Sequence, residues 1–239
     1  MRITAAILSI WYGLVDPKRV KQVSTDAAAA VFAVAVLAIA LTATVCSLWE
    51  QGHPGLVADS ALLSQQTLQA SPGSAELDLS TPQRQFTGAL GGTLIVTIVS
   101  VAALAGLFMI MARFLTNTTP TYSRAIIAVS SAALIAIIDT AVASVLHVTF
   151  GTAQYGLHAG VFIRPSDSPM LFTWLQLISL GSIWRFLAIA VALVTWENLH
   201  WRYGIVVGLV VWTISRLAFG IMALVGWVVG LQGAGQLAP

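Results

Sequence analysis

Charge is what this sequence has least of. Eleven Lys or Arg and nine Asp or Glu serve all 239 residues, or 8% of the chain, where a soluble domain uses about a quarter. So few charges cannot coat a water-facing globule. With 58% hydrophobic residues and a mean hydropathy of +0.89, the chain reads as an integral membrane protein. A net charge of +2 makes no basic field, which excludes nucleic acid as a partner class. Cysteine is nearly absent as well: Cys46 stands alone, so there is no intrachain disulfide and no cysteine-rich metal site. There is no phosphate-binding glycine loop, no H-E-x-x-H, no G-x-S-x-G and no carboxylate pair within the apolar runs, and the expectation is a protein that is not an enzyme. The first apolar run ends at Asp16-Pro17-Lys18-Arg19 without a small-x-small site, so no cleaved leader is expected.

What is present is organised by apolar length. A spanning helix needs about 20 mainly apolar residues, and five windows qualify, at about 27–49, 88–111, 123–149, 172–196 and 204–230. The fold class expected is all-α, a single membrane domain over 1–239 with five transmembrane helices. Residues 3–15, ending near Trp11 and Tyr12, suit an additional helix lying in the interface. Polar residues followed by proline mark helix starts at Asp16-Pro17, Thr81-Pro82, Thr119-Pro120 and Ser168-Pro169, because proline pre-sets the first helical dihedral. The fifth helix lacks such a start and follows a tight turn around 198–202.

Counting basic residues sets an orientation. Arg2, Lys18, Arg19, Lys21, Arg113, Arg124 and Arg202 fall on one side and Arg84 and Arg164 on the other, which predicts a cytoplasmic N-terminus and an outer C-terminus. Trp11, Trp196 and Trp201 then lie at the inner interface, and Trp49, Trp174 and Trp227 at the outer. The outer loop 50–87 is polar, with a short amphipathic helix expected in DSALLSQQTLQA behind Asp59 as its cap. Asn117-Thr118-Thr119 matches a glycosylation acceptor, but it falls inside and is read as chance.

Three charges fall within the spans: Asp139, Arg185 and Arg216. A charge in hydrocarbon costs at least about 2.5 to 3.5 kcal/mol, so such groups face the bundle interior and seek partners. At about 1.5 Å of rise per residue they lie within about 6 Å of one another in depth. One polar cluster is expected, with Asp139 as the shared acceptor. It serves either as an ion or proton path or as an ion pair that fixes helix register. His147 and His158 could share a metal or hold a porphyrin-type metal, yet no Cys or carboxylate stands beside them at ligand spacing, so no metal and no cofactor is predicted. Gly88 with Gly92, Gly204 with Gly208, and Gly226 with Gly230 repeat at four residues, a spacing that lets helix backbones approach in lipid.

Two phrases carry a resemblance. Gly13-Leu14-Val15-Asp16-Pro17 precedes the first span; Gly160-Val161-Phe162-Ile163-Arg164-Pro165 precedes Leu177-Ile178-Ser179-Leu180-Gly181-Ser182-Ile183-Trp184. With Pro17, Pro165 and the Ile183-Trp184 pair, this resembles the Yip-type (Ypt/Rab-interacting-protein domain) five-span family, in particular its bacterial branch. Ser179 stands where that family favours aspartate, Gly181 replaces an aromatic residue, and Arg185 is outside the pattern. The resemblance implies a membrane bundle that works with other membrane proteins and lipids, in a bacterial cytoplasmic membrane. Eukaryotic relatives associate with small GTPases, but the short inner loops here leave little surface for one beyond residues 1–26. Three functions follow as expectations. The first is a non-enzymatic accessory or assembly subunit. A small transporter or channel using Asp139, Arg185 and Arg216 is the second, and a cofactor- or pigment-contacting subunit of an energy-converting complex is the third.

Overall fold

The computed structural model describes residues 2–57, 59 and 82–235. Among them every regular element is helical. In chain order these are α1 (Arg2–Val15), α2 (Ala28–Gln51), α3 (Pro82–Thr116), α4 (Tyr122–Ser131), α5 (Ala133–Phe150), α6 (Pro169–Gln176), α7 (Leu180–Trp196) and α8 (Trp201–Gly235), with short 3-10 turns at Pro17–Gln22, Thr25–Ala27 and Ala159–Phe162. Among the described residues four stretches are long and apolar enough to cross a membrane: Thr25–Gln51, Phe86–Thr116, Tyr122–Phe150 and Trp201–Ile221. The protein is thus a helical membrane bundle.

Lipid gives helices no hydrophobic reason to associate, so close packing of small side chains must hold them. The interior is built that way. Ala105, Ala112, Ala125, Ala128, Ala132, Ala188, Ala190 and Ala192 are buried between the helices, with Phe108, Ile127, Ile189 and Leu193 filling the remaining space. The α7–α8 hairpin is one tight contact. A Cβ added at Gly204 would stand 2.7 Å from the Val191 Cα, and one at Gly208 would stand 3.0 Å from the Phe186 carbonyl oxygen. The other expected glycine pairs differ. Gly88 is exposed and a Cβ at Gly92 would meet nothing within 4 Å, so α3 does not pack through them. Gly226 and Gly230 lie in α8 beyond the residues whose surroundings are described.

Local signals explain most helix ends. Pro82 opens α3, and Pro169 opens α6 after Ser168. Pro120 does not open α4: Thr121 is the cap, and its hydroxyl accepts from the Arg124 amide at 3.5 Å. Asn117 and Asn198 adopt left-handed φ values of 54° and 59° just beyond α3 and α7, a conformation asparagine tolerates better than most residues. Asn117 therefore has a structural use. Asp59 accepts from the Thr152 hydroxyl at 2.6 Å and the Ala153 amide at 2.9 Å, so it ties down the turn after α5. The rest of the expected loop helix lies outside the described residues.

Helix α1 lays a stripe of small residues, Ala6, Ser9 and Gly13, against the bundle, and leaves Ile3, Ile7, Leu8, Trp11 and Val15 exposed. Gly13 sits directly on the Ser131–Ala132 backbone, where the Tyr122–Phe150 span changes from α4 to α5. One end of the bundle is tied by Arg124 Nη1 to Glu197 Oε1 at 2.7 Å and by the Lys18 ammonium 5.3 Å above the Trp201 ring. The opposite end is tied by Glu50 and His147, described below.

Candidate functional site: a charged centre at a broken helix

The expected continuous span at 172–196 is not one helix. It stops at Gln176 and restarts at Leu180, with residues 177–179 between. A break in an apolar helical segment frees backbone groups that need partners. Here the 151–168 loop supplies them. The Ala159 amide donates to the Ile178 carbonyl at 2.9 Å, and the Leu180 amide donates to the Leu157 carbonyl at 2.9 Å, forming an isolated antiparallel bridge between His158 and Ser179.

Ser179 caps the restarted helix, accepting from the Ser182 amide at 3.0 Å. Ser182 in turn donates to the Ser179 carbonyl at 2.9 Å and accepts from Trp212 Nε1 at 3.0 Å, which links the break to α8. Asp139 of α5 faces this first turn of α7. Its carboxylate receives a hydrogen bond from the Ser179 hydroxyl, and a Cβ at Gly181 would fall on the carboxyl group. Gly181 therefore makes the space that Asp139 fills. The exposed amide dipoles of a helix N-terminus favour a negative group in that place.

Arg185 and Arg216 complete the centre from α7 and α8, and both interact electrostatically with Asp139. Neither makes the expected ion-pair contact. Their Nε atoms are buried without a hydrogen-bond partner among the described residues, and the Arg216 guanidinium lies 5.6 Å from the Phe186 ring. Asp139 instead has Ser179, at the head of α7, as its hydrogen-bond partner. Trp184 and Leu180 of the family-like phrase point outward, 47% and 70% exposed, whereas Pro165 is buried in the loop. Pro17 opens the 3-10 turn after α1.

A groove of about 300 Å³ runs along the α2–α5 seam and has Asp139 in its wall. At its far end Glu50 Oε1 accepts from the Ser144 hydroxyl at 2.6 Å and from His147 Nδ1 at 3.0 Å. Position in the sequence hinted at both ends of this pair, since each residue closes an apolar run, but a separation of 97 positions hid the contact. His158 lies in the loop with both ring nitrogens buried and unpartnered among the described residues, edge-on to Phe172 at 5.9 Å. Burial holds its imidazole below the ordinary histidine range, and His147 adds to this. His147 and His158, the weak metal candidates, interact electrostatically, and no group of three metal-binding side chains forms among the described residues. No protein-family model, no curated protein and no solved structure matches this chain.

Proposed function

We propose that the protein is a small, non-enzymatic ion- or proton-linked transporter or channel of five spans, working at the centre formed by Asp139, Arg185 and Arg216. The observation that carries this is the broken α6–α7 segment. Discontinuous helices whose N-termini face a charged group near the middle of a bundle are a recurrent way to build membrane transport sites. A purely structural ion pair would close, because an unpaired charge at that depth costs several kcal/mol; here the carboxylate and the two guanidiniums stay apart. In this reading α6 and α7 together make the fourth span and α1 lies at the membrane boundary on its apolar face. The N-terminus is cytoplasmic in a bacterial inner membrane, and the bacterial Yip-type branch supplies the architecture.

A second reading is an accessory subunit that packs against other membrane proteins. Trp184 favours it, because the aromatic residue of the family-like phrase faces outward instead of into the core. One experiment separates the two. Purified protein in liposomes carrying a potassium diffusion potential is expected to pass ions above the level of protein-free liposomes. Liposomes that stay as tight as empty ones, with protein that co-purifies stoichiometrically with a second membrane protein, would support the accessory role instead.

A further inference from the structure

We infer that the groove between α2 and α5 is a one-sided water path that delivers protons to Asp139, with Glu50 and His147 at its mouth. The inference deepens the transport function proposed above, whose site it shares. Asp139, Ala143 and His147 lie at four-residue spacing on one stripe of α5 and line the groove with Thr140 and Ser144. Eight residues of helix place the mouth about 12 Å from Asp139. From α2 the wall receives Ser47 and Glu50. A water molecule takes about 30 Å³ in the liquid, so 300 Å³ accommodates a chain of them. Polar groups recur along the α5 wall at Asp139, Thr140, Ser144 and His147, with Ala143 between them. His147 Nε2 is buried with no protein partner among the described residues.

The charged and titratable groups around the path come from every neighbouring element: Glu50 from α2, Asp139 and His147 from α5, His158 from the loop, Arg185 from α7 and Arg216 from α8. The arginines lie on the Asp139 side and close the path beyond it to cations. A proton fits better than a metal ion, because no third metal-binding side chain joins any pair of them among the described residues. The transfer balances simply. A proton from outside water protonates the His147–Glu50 pair, the pair passes a proton to groove water, and that water protonates the Asp139 carboxylate.

Cys46 provides the test, since the lone thiol of the chain lines the same groove. A membrane-impermeant cationic methanethiosulfonate, which needs an ionised thiolate in water, is applied to right-side-out and inside-out vesicles holding the full-length protein. Labelling is expected from one face and lost from the other, with Cys46→Ser as the blank. In parallel, infrared difference spectra should show one carboxylic-acid C=O band that disappears as pH is raised and is missing from Asp139→Asn. Labelling by permeant N-ethylmaleimide alone, or equal labelling from both faces, overturns the one-sided path; an Asp139 band that does not titrate overturns proton delivery. Both readouts work without net transport, so silent liposomes beside a positive result would remove the transport function and leave the path standing.

Discussion

Replacing Gly204 by alanine perturbs a close approach of two helix backbones, those of α7 and α8. The new Cβ would stand 2.7 Å from Val191 Cα and 2.9 Å from Val191 N, whereas carbon atoms rest at about 3.5 to 4.0 Å. Neither contact is a flexible side-chain end, so α7 and α8 must part by about 1 Å, forfeiting much of their dispersion contact. Overpacking of this kind costs about 1 to 3 kcal/mol, and replacing glycine within a helix returns up to about 1 kcal/mol. The net expectation for Gly204→Ala is a loss of about 1 to 2 kcal/mol. Gly208→Ala needs only a few tenths of an ångström, since its nearest contacts are at 3.0 and 3.1 Å, and should be close to neutral. Gly92→Ala meets nothing within 4 Å and should stabilise slightly. Reversible unfolding of the purified protein in mixed micelles, followed by circular dichroism, gives the order directly. Equal effects at 204 and 92 would refute the packing argument.

Two further outcomes are expected. Arg124→Ala removes the 2.7 Å tie to Glu197, whose side chains are 33% and 15% exposed; between exposed and buried ion pairs, its loss should cost about 1 to 2 kcal/mol in the same unfolding assay. His158, held below its ordinary range by burial, binds a proton more readily in the unfolded chain, so acidification through about pH 6.5 should lower the melting temperature. His158→Gln should flatten that slope, and an unchanged slope would place the titration elsewhere.

Much of the bundle was legible because membrane insertion reads composition over long windows. The runs at 27–49, 88–111 and 123–149 end within a few residues of helices found at Thr25–Gln51, Phe86–Thr116 and Tyr122–Phe150. The same averaging hid the break at 177–179. Leu177 and Ile178 keep hydropathy high there, and the signals were local: a serine placed to cap and a glycine two residues later. Which face of a helix meets which neighbour is not written in a single span. Asp139, Arg185 and Arg216 could be matched in depth from helix rise, but the Ser179 cap beside Asp139 depends on a loop that returns into the bundle. Gly88 and Gly92 show the converse, a packing spacing on a face without a neighbour.

The central claim is that Asp139 works instead of merely holding helices together. Asp139→Asn keeps the shape of the side chain and removes its charge. The decisive measurement is the potential-driven ion flux of this variant in liposomes, at matched protein content and after its unfolding curve has been compared with wild type. The account predicts a variant that folds as wild type and loses the flux; wild-type flux through Asp139→Asn would contradict it.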